Sequence, residues 1–76
     1  MADEISTAMT SCQGKTVLLR LRNTKTVQGI LIDFDIHMNL TLNNAEDITE
    51  EKHLSLGKVL LRGDNILAIS LPNDKS

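Results

Sequence analysis

The chain has 76 residues, 41% of them apolar, with a formal net charge of −2, one cysteine, one aromatic residue (Phe34) and no Trp or Tyr. That length gives one domain with little apolar surface to bury, and Cys12 alone excludes an internal disulfide. A general affinity for polyanions is disfavoured by the charge, and base stacking on the usual Phe, Tyr or Trp platform by the composition.

A lone cysteine suits a reducing compartment, and the expected location is the cytoplasm. The acidic, polar N-terminus does not resemble a secretory signal, and no apolar run reaches the length of a membrane span, so no membrane partner is expected. No cysteine–histidine cluster offers a structural metal site, and no cofactor is implied. Oligomerisation is then the expected source of extra stability for so small a fold.

Residues 3 to 12 read as a short helix, since Ile5, Ala8, Met9 and Cys12 follow the i, i+3, i+4, i+7 spacing of one apolar face. Asp3 is a candidate N-cap and Gly14 a candidate stop. This helix is expected to lie over an open end of the domain. From Thr16 the period becomes two, with Val17, Leu19 and Leu21 alternating with Leu18, Arg20 and Arg22. Asn23-Thr24-Lys25 reads as a tight turn into a second, antiparallel strand from about Thr26 to Phe34. Gly29 inside it marks a bend or a close backbone approach.

A third strand is expected from near Met38 through Leu42, followed by the polar stretch Asn43 to Lys52. Its beginning reads as strand and Thr49 to Lys52 as an exposed hairpin. Glu46, Asp47, Glu50 and Glu51 read as a solubilising loop. A fourth strand spans about His53 to Leu61, with a second bend at Gly57, and a fifth spans Asn65 to Leu71. Pro72 ends it, leaving 73–76 as a solvated tail. The fold class is therefore mainly β: a helix at about 3–12, then five strands over about 16–71 in one antiparallel barrel. Five strands seldom close a barrel, so two edges should remain. The fourth and fifth strands carry few blocking charges, and the fourth strand of one copy could pair with the fifth of the next.

Two polar segments stand at strand ends: Asp35-Ile36-His37-Met38-Asn39 and Arg62-Gly63-Asp64-Asn65. If they meet in the fold, His37 and Arg62 offer two flat faces and Asn39 a paired donor and acceptor, the parts needed to hold an unstacked RNA base. Uracil presents O4 beside N3–H, and a side-chain amide presents the complement. Cytosine has the reverse order, so selectivity requires the amide to be fixed. Asp35, acceptor-only when ionised, can hold one hydrogen of the Asn39 amide. Gly63 lets the backbone come close to the base, and Asp64 is expected to orient Arg62 or to bond sugar or backbone groups.

Plainer readings stand beside these. Asp33, Asp35 and His37 at period two could suggest a metal or acid–base site, but no further ligand follows at a suitable spacing. Arg62-Gly63-Asp64 matches a cell-adhesion tripeptide by coincidence. Arg20, Arg22 and Lys25 read as a solvated strand face rather than a second RNA surface. Met38 and Leu40 read as core, and Met9 and Cys12 as the packing face of the helix.

Taken together, Gly29-x-Leu31, Phe34-Asp35-x-His37-Met38-Asn39-Leu40-x-Leu42, Ala45-Glu46 and Gly57-x-Val59-x-Leu61-Arg62-Gly63-Asp64-Asn65-Ile66 resemble the two motifs of the Sm and Sm-like (LSm) family, over residues 3 to 71. The compact form resembles archaeal Sm-like proteins. The resemblance implies a strongly bent, open five-stranded barrel (the Sm fold) and a ring, usually of seven copies. It also implies binding of uridine-rich single-stranded RNA around the pore, without catalysis, in RNA processing or ribonucleoprotein assembly. His37, Asn39 and Arg62 would be direct contacts, Gly63 and Asp64 would complete the RNA site, and Asp35 would support it. The lysine–histidine pair of the bacterial Hfq branch is missing from Arg62-Gly63-Asp64-Asn65, which disfavours a six-membered ring. The alternative is a structural ring that recruits proteins and has little RNA affinity.

Overall fold

The computed structural model describes residues 4–71, with side chains from residue 7 onward. The Asp3 cap, the Pro72 stop and the 73–76 tail lie outside the described residues, as does the side chain of Ile5 on the helix face. A helix α1 (Glu4–Ser11) precedes strands β1 (Thr16–Leu21), β2 (Thr26–Phe34), β3 (Leu40–Asp47), β4 (Leu54–Leu61) and β5 (Ile66–Ser70), with one 3-10 turn at Gly63–Asn65. All pairings are antiparallel, in the order β4-β3-β2-β1-β5, so β4 and β5 are the two edges of a bent, open sheet.

Period-two burial explains β1, where Val17, Leu19 and Leu21 point inward and alternate with more exposed residues. They join Val27, Leu31, Leu40, Leu42 and Ala45 in one core that Met9 of α1 and Cys12, in the turn just after it, complete. The edge strands contribute only partly buried side chains to it: Val59 and Leu61 from β4, Ile66 and Ile69 from β5. The bend lies in β2 and β3, whose register shifts between Gln28 and Ile30 and again between Leu31 and Asp33. At the first shift a Cβ on Gly29 would come within 3.1 Å of both the Ala45 Cα and the Leu42 Cβ. The absent side chain lets β3 fold closely over β2, and bulges of this kind sharpen local twist.

Two expectations change. β3 begins at Leu40, not Met38, because residues 35–39 form a closed turn with Met38 in left-handed backbone (φ 63°). The acidic stretch is not all loop: Glu46 and Asp47 belong to β3, and Asp47 is buried. Its carboxylate accepts hydrogen bonds from the Thr49 hydroxyl (2.6 Å) and backbone N–H (3.0 Å) and lies 3.6 Å from Lys25 Nζ. Those bonds, that of the Thr49 hydroxyl first, hold its pKa below the ordinary value. No helix among the described residues is long and apolar enough to cross a membrane.

Candidate nucleic-acid interface

Strand register brings the two polar segments together. Leu40 of β3 pairs with Leu61 of β4, so Asn39 and Arg62, one step beyond each, leave the sheet side by side. Phe34 pairs with Leu40 across the β2–β3 connection, which closes residues 35–39 into a turn at the same end.

Asp35 organises that turn. Its Oδ1 accepts the backbone N–H groups of His37 (2.9 Å) and Asn39 (3.0 Å), and its Oδ2 accepts Asn39 Nδ2–H (2.9 Å). Backbone bonds from Asp35 N–H to Asn39 O (3.2 Å) and from Met38 N–H to Asp35 O (3.0 Å) complete it. Donors converging on the carboxylate, the Asn39 amide foremost, lower the Asp35 pKa from its ordinary value. Asp35 is thereby kept ionised and acceptor-only. Because β2 stops at Phe34, Asp33, Asp35 and His37 do not share a strand face, and no group of acidic, His or Cys side chains among the described residues could hold a metal ion.

Gly63 joins the second segment to the first. Its N–H donates to Asn39 Oδ1 at 2.8 Å. A Cβ at Gly63 would overlap the His37 carbonyl oxygen and stand 3.0 Å from the Met38 carbonyl group. The backbone φ there is not in the left-handed region. The glycine is required by space rather than by conformational freedom. In Arg62, Nη2 lies 3.3 Å from Asp64 Oδ2, so Asp64 orients the guanidinium while both side chains stay well exposed.

Asp35, His37, Met38, Asn39, Leu60, Arg62, Gly63 and Asp64 line one open groove of about 820 Å³. Every site residue named from the sequence therefore lies on it. Sequence reasoning missed Arg22. Its Nε donates to the Asp64 carbonyl oxygen at 2.8 Å and its backbone N–H to the Asn65 carbonyl at 2.9 Å, bracing the 62–65 turn from behind. Alternation along β1 marks it only as an outward residue, and nothing in the sequence links it to Asp64. Leu60 was also missed as a groove residue.

The LSM domain family model matches residues 7–71. This chain belongs to the LSm family. An Sm-like protein of Methanosarcina barkeri is 44% identical over 55 residues, 71% of this chain and 76% of that protein. Among solved LSm structures, the P. aerophilum SmAP1 heptamer superposes with a TM-score of 0.89 at 34% identity, over 96% of this chain and 99% of the other. A Pyrococcus abyssii Sm protein in complex with a uridine heptamer superposes with a TM-score of 0.82 at 35% identity, over 93% and 100% of the two chains. The bent open sheet with an N-terminal helix is thus the Sm fold, as the LSm motifs implied.

Proposed function

We propose that this LSm protein forms a homomeric ring, most simply of seven copies, and binds uridine-rich single-stranded RNA around the central pore. It acts as a non-catalytic scaffold or chaperone in cytoplasmic RNA metabolism. The observation that carries the reading is the convergence of His37, Asn39 and Arg62 on one groove, with the Asn39 amide already pinned. The heptameric and uridine-bound relatives support it.

Ring formation draws support from the edges. Leu54, Leu56 and Leu60 on β4 and Leu67 on β5 are large apolar side chains left 43–72% exposed in a single chain. Unpaired apolar edge strands are aggregation-prone unless another strand covers them. Pairing β4 of one copy with β5 of the next is head-to-tail, and such a contact closes into a ring when its rotation permits. Seven grooves facing one pore would hold successive nucleotides at high effective concentration, so weak single sites would add up to firm binding.

Imidazole and guanidinium faces would stack on the base, a contact that contributes about 1–3 kcal/mol per base by substitution. The chain is acidic overall, so phosphate attraction must come locally from Arg62 and weaken as salt rises. Titration of labelled oligouridine against wild type, His37→Ala and Arg62→Ala, with native mass measurement of each assembly, tests the reading. Expected is a loss of about tenfold or more in affinity with the ring mass unchanged. Variants that bind oligouridine as wild type does would remove the stacking roles. A ring with no oligouridine affinity at all would favour a protein-recruiting scaffold.

A further inference from the structure

The Asn39 carboxamide is held at both ends by groups that tolerate only one orientation. Its Nδ2–H donates to Asp35 Oδ2, and its Oδ1 accepts from Gly63 N–H. Asp35 can only accept, because an ionised carboxylate has no proton to donate, and two backbone N–H groups on its Oδ1 favour that ionised form. Gly63 N–H can only donate. Turning the amide over would set NH₂ against N–H at one end and C=O against carboxylate at the other. The two restraints come from different connections of the sheet, one from the 35–39 turn and one from the 62–65 turn, so neither depends on the other's side chains.

An amide so held still has one N–H and one oxygen lone pair to offer a ligand, in a fixed order. The matching edge is a carbonyl beside a ring N–H. Uracil carries it as O4 and N3–H, but it is not specific to uracil: guanine and hypoxanthine carry the same pair as O6 and N1–H. Cytosine and adenine carry the opposite, an amino group beside an unprotonated ring nitrogen. The other elements of the groove do not make this distinction, since His37 and Arg62 present flat faces and every base has a π-face to stack. Size does not make it either, because a groove of about 820 Å³ is at the roomy end of the range of about 300–1,000 Å³ for ligand clefts and can admit a purine.

We infer that the groove selects bases by the carbonyl–imino edge, so that it accepts guanine- and hypoxanthine-type bases along with uracil and refuses cytosine and adenine. The inference rests on the groove being the base site proposed above. It extends the recognised ligand from uridine tracts to mixed keto-base single strands.

The test uses the assembled wild-type protein and four labelled RNA heptamers: all uridine, and three in which the central three uridines are replaced by inosine, adenosine or cytidine. Inosine and adenosine have the same ring size and differ at the edge the amide would read, so their ratio isolates polarity. The inosine heptamer should bind at least about tenfold more tightly than the adenosine heptamer, and the cytidine heptamer should be weakened as the adenosine one is. Equal binding of the inosine and adenosine heptamers, with firm binding of all-uridine, would overturn the inference and leave the proposed function standing. Equal binding of the cytidine and uridine heptamers would overturn it as well. Failure of the all-uridine heptamer to bind would remove both.

Discussion

Replacing Gly63 by alanine puts the joint between the two connections under direct test. The new Cβ would overlap the His37 carbonyl oxygen and press on the Met38 carbonyl at 3.0 Å, and both are backbone atoms that cannot swing aside. The 62–65 turn must retreat. Even a retreat of about 0.8 Å, less than the overlap demands, would carry the 2.8 Å bond from Gly63 N–H to Asn39 Oδ1 to about 3.6 Å, beyond hydrogen-bond reach. Overpacking of this kind costs about 1–3 kcal/mol and the lost bond about 0.5–1.5 kcal/mol, so a destabilisation of about 2–4 kcal/mol is expected. Gly14→Ala is the control. Gly14 has φ +85° with nothing within 4 Å of a built Cβ, so only the backbone penalty of about 1–2 kcal/mol applies there, remote from the groove. Urea unfolding at one fixed protein concentration gives the stabilities, and oligouridine titration of the folded variants gives the affinities. Gly63→Ala should lose affinity at least about tenfold while Gly14→Ala keeps it. A Gly63→Ala protein no less stable than Gly14→Ala, with wild-type oligouridine affinity, would refute the reasoning.

Further outcomes are expected. Leu31→Ala, at a fully buried position in the middle of β2, should lower stability by about 2–5 kcal/mol in the same urea assay, and a loss under 1 kcal/mol would mean that the core collapses around it. Asp35 and Asp47 both have depressed folded pKa values, so their contributions are complete above the unfolded value of about 3.9 and are lost as the pH falls through the lower folded values. Their contribution to the urea midpoint should therefore hold from about pH 6 down to about pH 4 and fall away below it, less steeply in Asp35→Ala. An identical drop in that variant would detach the 35–39 turn from acid sensitivity. Arg22→Ala should weaken oligouridine binding through loss of its bond to the Asp64 carbonyl, without touching the groove itself, and Arg22→Lys should restore little because the geometry of Nε is lost. Wild-type affinity in both would show that the 62–65 turn stands without this brace.

The strands were legible where alternation was strong. Val17, Leu19 and Leu21 leave little choice for β1, and Asn23-Thr24-Lys25 forms the tight turn expected of it, with Thr24 at φ 69°. The far end of β3 was legible only in part: the start of the Asn43 to Lys52 stretch reads as strand, but Glu46 and Asp47 read as loop because Asn43 to Asp47 shows no apolar alternation. It is strand because Val27 pairs with Asp47 on one side and Leu54 on the other, and because Thr49 and Lys25 satisfy the buried carboxylate. The groove residues could be named from spacing and residue chemistry, and the Asp35–Asn39 bond follows from their closeness in sequence. Contacts across the fold could not be read. Gly63 meets Asn39 across 24 positions and Arg22 meets Asp64 across 42, and only the register of β3 with β4 and of β1 with β5 brings them together.

The double restraint on Asn39 also has a thermodynamic consequence. Freezing a mobile side chain at a binding surface ordinarily costs about 0.5–1.5 kcal/mol at the moment of association. Asn39 surrenders its rotational freedom during folding instead, when the two connections close on it. On the proposed reading, an arriving nucleobase would meet an amide already held in place, and the entropy still to be lost on the protein side would fall to the exposed arms of His37 and Arg62.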